Sequence, residues 1–131
     1  MSALDVGVAR RGQCALVAAI ADGAGVVDGA SVGDCEAWLL GAQGDVLELT
    51  RTQQRKPLLG GGGGAVPFSA NLEAGSTLLL GSDGLFKYVP RRAIVAACEA
   101  ADVDAIAAEL VGLPRLSSGQ LPDDLGVVVA R

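Results

Sequence analysis

The chain has 131 residues, half of them apolar, 19% charged and 3% aromatic, and carries a formal net charge of −5. That length is one domain, with enough apolar residues to bury a core made of Val, Leu, Ile and Ala. It contains no histidine, which excludes Ser-His-Asp and Cys-His catalysis, histidine general acids and His-rich zinc sites. The acidic balance leaves no electrostatic footprint for nucleic acid and little attraction to anionic membranes, and it favours divalent cations. Cys14, Cys35 and Cys98 are far apart and odd in number, the pattern of reduced thiols in a cytoplasmic protein. No stretch approaches the ~18 apolar residues of a membrane-spanning helix.

Residues 1–11 read as an N-terminal tail. The run ALVAAIA at 15–21 predicts a buried strand, the turn residues Asp22-Gly23-Ala24-Gly25 follow, and 26–32 predicts the return strand of a hairpin. After Gly33-Asp34, residues 36–40 (EAWLL) and 46–50 (VLELT) predict a second strand pair around the turn GAQG.

Residues 51–56 (RTQQRK) are polar and basic. Such a run is either a solvated face or a source of positive charge for a phosphate. Five consecutive glycines, Gly60 to Gly64, lose maximal backbone entropy on ordering and predict a flexible loop. They do not make a P-loop, because no Lys-Ser/Thr follows them.

Residues 76–81 (STLLLG) predict a strand ending at Ser82-Asp83-Gly84. Pro90 opens a helix whose Ile94, Val95 and Cys98 share a face. Asp102 is the N-cap of a second helix with Val103, Ile106 and Leu110 as its apolar stripe, and Pro114 ends it. Asp123-Asp124 lead into a last strand at 125–130. Strands, then two helices, then one strand predict an α+β layout with a mostly antiparallel β-sheet and two helices on one face.

Three acidic positions stand where an apolar strand meets a turn: Asp34 in VGDCEAW, Asp83 in LLLGSDGLFKY and Asp123 in PDDLGVVV. Strand ends on one edge of a sheet can converge although distant in sequence. Converged carboxylates repel one another, and a hard cation such as Mg²⁺ or Mn²⁺ relieves that repulsion. Taken singly, each reads first as an ordinary turn residue.

Together these segments resemble the PPM (type 2C) family of metal-dependent protein phosphatases. GASVGDCEAWLL is similar to the family's VGDSRAYL segment, LLLGSDGLFKYVP to its LLLASDGLWDVL segment, and DDLGVVVAR to its closing DNITVVVV strand. GQCALVAAIADGAGVVDGASVGD resembles the GSTA hairpin that precedes the first of these. The resemblance covers roughly residues 12–131. It implies a partial type 2C phosphatase β-sandwich with Mn²⁺ or Mg²⁺ as cofactor. It implies Asp83 and Asp123 as the catalytic metal ligands and Asp34 as the ligand of an additional, weaker site. Asp124 stands where the family has asparagine and adds an oxygen ligand.

The chain also departs from the family. Only eleven residues precede the GQCA hairpin, so the N-terminal half that supplies the metal-bridging motif is missing from the match. Ala21-Asp22-Gly23-Ala24-Gly25 is similar to the bacterial ADGxGG form of that motif, yet it sits where a hairpin turn belongs, and both readings of Asp22 stay open. Cys35 replaces the usual serine, Lys87 an acidic residue and Gly126 a threonine. The function implied is a metal-dependent hydrolase of phosphoesters acting through a metal-activated water on a small phosphoester or a phosphoprotein. The alternative is a non-catalytic, cation- or protein-binding remnant. Because 15–21 and 77–81 are apolar on both faces while helices cover only one, the sequence also predicts a homodimer pairing sheet to sheet.

Overall fold

The computed structural model describes residues 3–131. Helix α1 (Ala3–Ala9) precedes strands β1 (Leu16–Ala21), β2 (Val26–Val32), β3 (Glu36–Leu40), β4 (Val46–Glu48), β5 (Val66–Asn71) and β6 (Thr77–Gly81). Helices α2 (Asp83–Phe86), α3 (Arg91–Ala97) and α4 (Val103–Gly112) follow, and β7 (Val127–Ala130) closes the chain. Two antiparallel sheets result, one in the order β1-β2-β5 and the other β4-β3-β6-β7. The expected α+β layout is what forms. No helix among the described residues is long and apolar enough to cross a membrane.

The β1–β2 hairpin closes through Asp22, whose Oδ1 accepts hydrogen bonds from the backbone N–H of Ala24 at 2.9 Å and Val26 at 2.8 Å. A short acceptor that folds back on its own backbone is what a tight turn needs. β6 is buried along its whole length. Its Leu79 faces Trp38, Leu40, Leu85, Ile94, Ile106 and Leu110 on the helix side. Its Leu78 and Leu80 turn the other way, onto Val27 and Ala37, with Val17 and Phe68 packed against them.

This second core corrects the premise of the dimer argument. The face of β6 that the helices leave open is covered by the chain's own three-stranded sheet, not by a second copy. The outward face of that smaller sheet is the one left in contact with solvent, with Leu16 38% and Ile20 77% exposed.

Several elements differ from the sequence expectation. β5 and the single-turn α2 are additional, β4 stops at Glu48, and β7 begins only at Val127. The segment read as a tail contains α1, whose buried Asp5 accepts a hydrogen bond from the N–H of Gly60 at 2.5 Å. The glycine run is drawn into turns: the N–H groups of Gly61 and Gly63 donate to the Leu58 carbonyl at 3.0 and 3.1 Å. Next to it, Cys14 and Leu59 form an isolated antiparallel bridge.

Candidate functional site

The acidic residues singled out in the sequence follow or precede strands that end together. Glu36, the first residue of β3, pairs with Gly81, the last of β6, and Gly81 pairs with Val127, the first of β7. Asp34 therefore lies just before β3, Asp83 just after β6, and Asp123 and Asp124 just before β7, all at one end of the four-stranded sheet. Asp22 lies at the tip of the β1–β2 hairpin, whose other end (Leu16 paired with Val32) leads to Asp34. It is occupied as a turn residue there, and the structure does not bring it to the other aspartates.

Glycine geometry makes the crossing to this end possible. Gly33 has φ +89°, a left-handed conformation open to glycine, and a Cβ there would meet Leu58 Cδ2 at 2.8 Å and Ala15 Cβ at 2.9 Å. The bend it makes carries the chain from β2 in one sheet to β3 in the other, with Asp34 and Cys35 on the bend. Cys35 is held by its carbonyl, which accepts from Gln53 Nε2 at 2.7 Å.

Ser82 joins the two strand ends that carry Asp83 and Asp123. Its N–H donates to the Gly126 carbonyl at 3.0 Å, its hydroxyl donates to the Asp124 carbonyl at 3.1 Å, and the same oxygen accepts from the Gly126 N–H at 3.0 Å. Gly84 lies so close to the Asp124 carbonyl oxygen that any Cβ would collide with it. Asp83 is half-buried, whereas Asp123 and Asp124 are exposed. The Asp123 Oδ1 accepts from the Asp124 N–H at 2.9 Å, which turns one carboxylate back on its own loop.

The field at this end is negative. Burial first, then the charges of Asp34 and Asp83 and the nearby Cys14, push the Cys35 thiol up from its ordinary value. Both carboxylates thus act on one side chain, and Cys35 stays protonated at neutral pH. Among the described residues, no three acidic, cysteine or histidine side chains stand together as a ready ligand set. The donors at this end are oxygen atoms on carboxylates, the type that hard divalent cations take.

An open cleft of ≈ 340 Å³ runs beside the site between β1 and β7, lined by Leu16, Val17, Cys35, Leu80, Ser82 and Val127 among others. Sequence reasoning missed this cleft, because it forms between edge strands of two different sheets.

No protein-family model matches the chain, and no curated protein matches it by sequence. Solved structures do match. The catalytic domain of the serine/threonine protein phosphatase PstP in complex with two manganese ions superposes with a TM-score of 0.78 at 24% identity. That match covers 98% of this chain and 64% of that one. The Mycobacterium tuberculosis serine/threonine phosphatase PstP/Ppp gives 0.78 at 25% identity, covering 98% and 66%. The phosphatase domain of SpoIIE from Bacillus subtilis gives 0.70 at 23% identity, covering 90% and 56%. The fold is that of a serine/threonine phosphatase domain. The chain spans just under two thirds of the length of the PstP structures it matches.

Proposed function

We propose that the chain is a cytoplasmic, metal-dependent phosphoester hydrolase whose Mn²⁺ or Mg²⁺ is held by Asp83 and Asp123, with Asp34 and Asp124 as further oxygen donors. The observation that carries this reading is the placement of four aspartates at one end of one sheet in a phosphatase fold. A preformed cage of three protein ligands is not required. Mg²⁺ in particular keeps several waters and binds through one or two carboxylates together with substrate phosphate oxygens. When bound, the cation would neutralise phosphate charge and make a coordinated water more acidic.

The protein's own part is placement. Ser82 ties the loop of Asp123 and Asp124 to the end of β6, so Asp83 and Asp123 are presented from adjacent strands. The half-buried setting of Asp83 limits its rotamers. Asp123 and Asp124 are exposed, so a phosphoester can reach a cation held there. Small phosphoesters and phosphorylated side chains are the substrates that fit so open a site.

Calorimetric titration with Mn²⁺ tests the reading, together with Mn²⁺-dependent turnover of an activated aryl phosphate. Asp83→Asn and Asp123→Asn should each weaken Mn²⁺ binding by about tenfold or more, a change of ~1.4 kcal/mol, and abolish turnover. Asp22→Asn, at the far hairpin tip, should leave both unchanged. Wild-type affinity in both site variants sinks the proposal. A second reading, a cation- or protein-binding module without catalysis, is favoured by the lack of a three-ligand set among the described residues. Mn²⁺ binding without any turnover selects it.

A further inference from the structure

A ridge of arginines lies beside the aspartates. The segment that follows β4 does not drift into solvent. Gln53 fastens it to the Cys35 carbonyl at 2.7 Å, and Arg55 reaches Glu36 at 3.8 Å. Glu36 pairs with Gly81, two residues before Asp83, so Arg55 flanks the aspartate-bearing end of the sheet.

Arg91, the first residue of α3, extends the ridge. Its guanidinium donates to Glu48 at 2.6 Å and lies 5.2 Å from the centroid of the Trp38 ring. Two shallow clefts meet along this line. One of ≈ 310 Å³ is lined by Glu48, Arg51 and Arg91 among others, and one of ≈ 110 Å³ by Glu36, Glu48, Arg51 and Arg55 among others.

The charge here runs against that of the whole chain. The molecule is net −5, yet three arginines line the two clefts against two glutamates, a local excess of one positive charge, with Arg55 paired to Glu36 at 3.8 Å and Arg91 to Glu48 at 2.6 Å. Arg55 and Arg91 keep 75% and 52% of their side-chain surface exposed. Guanidinium groups present a planar fork of donors that matches carboxylate and phosphate oxygens. Arg91 is already fixed by Trp38 and Glu48, so docking on it orders little new structure.

We propose that this ridge of Arg51, Arg55 and Arg91 is a docking surface for the acidic flank of a phosphorylated polypeptide. The proposal rests on the phosphatase reading, since the ridge selects a substrate only if the aspartates next to it hold the catalytic cation. An acidic stretch lying along the ridge places its neighbouring phosphorylated residue at the end of β6. The acidic remainder of the chain repels a long polyanion, so a short acidic peptide fits where an extended nucleic acid does not.

The test is fluorescence anisotropy without added divalent metal, using a short labelled phosphoserine peptide with glutamate flanks and the same peptide with glutamine flanks. The wild-type protein should bind the glutamate-flanked form about tenfold more tightly, as a few exposed charge pairs allow, and added salt should erase the difference. The double variant Arg51→Glu, Arg55→Glu should lose that preference and prefer lysine flanks. Equal affinity of the wild type for both peptides overturns the proposal, whether or not the variant folds. So does a preference that survives in a folded variant, or tighter binding of a single-stranded oligonucleotide of equal charge. Aryl phosphate turnover without flank preference removes the docking surface alone. Flank preference without any Mn²⁺-dependent turnover removes the catalytic reading instead.

Discussion

Gly84 has the narrowest tolerance at the candidate site. The Asp124 carbonyl oxygen occupies the space where its Cβ would be, so Gly84→Ala must push the 123–126 loop away from the end of β6. Overpacking of that kind costs roughly 1–3 kcal/mol. The displacement also parts Asp83 from Asp123, so Mn²⁺ affinity should fall alongside stability, and calorimetry with a parallel urea melt checks both. If Mn²⁺ affinity is unchanged in a destabilised Gly84→Ala protein, the loop contact does not set the ligand geometry. Cys98 offers a pH signature. Burial pushes its thiol from 9.0 up to about 11, with nearby Glu109 adding to the rise and Arg131 opposing it. Below the unfolded value the thiol is protonated in both states. Between that value and the folded one, only the unfolded chain releases the proton, so stability falls as pH rises from about 9 to about 11. The loss is at most about 3 kcal/mol. Urea midpoints of wild type and Cys98→Ala under reducing conditions should converge across that interval, and parallel pH profiles would exclude Cys98 as the source.

At the level of elements, the sequence was legible wherever a side chain performs a local task. Asp102 reads as a cap, and its carboxylate does accept from the Ala105 N–H at 3.0 Å. Asp102→Ala should therefore cost about 1 kcal/mol, read as a shift in the urea midpoint without a change in slope. Ile106 and Leu110, spaced one helical turn apart, are both fully buried. Strand β5 was not legible, because VPFSAN carries a proline and two small polar residues and has no long apolar run. It forms because it is an edge strand on β2, where Pro67 is tolerated and only alternate residues are half-buried. Helix α2 escaped for a different reason: four residues including Gly84 have no periodicity to read, and the turn is held by packing of Leu85 in the core.

At the scale of the whole molecule, the apolar character of TLLLG was legible but its partner was not. Periodicity shows that both faces of a strand are apolar; it does not say whether the second face meets another copy or another part of the same chain. Val27 and Ala37 meet Leu78 and Leu80 from within the chain, so the driving force assigned to dimerisation already acts in the fold. The placement of Asp34, Asp83 and Asp123 beside strand ends at one end of the sheet was legible only as a possibility of topology, and the register of Glu36 with Gly81 and Gly81 with Val127 produces it without drawing three of the carboxylates into one ligand set among the described residues. That register has a further consequence. β7 is the last strand and lies at the edge of its sheet, hydrogen-bonded only to β6. A short strand with a ladder on one side only opens more readily than one between two neighbours, and β7 is anchored at its far end, where Arg131 donates to Thr77 Oγ1 at 2.9 Å and to the Cys98 carbonyl at 2.9 Å. A cation shared by Asp83 and Asp123 would clip its other end, at Val127, beside Gly81. Amide hydrogen exchange at Val127 to Ala130 should then slow on adding Mn²⁺, while exchange in β1 and β2 stays as it was. In that case occupancy of the site and the order of β7 are one equilibrium, and the strand reports the metal without touching it.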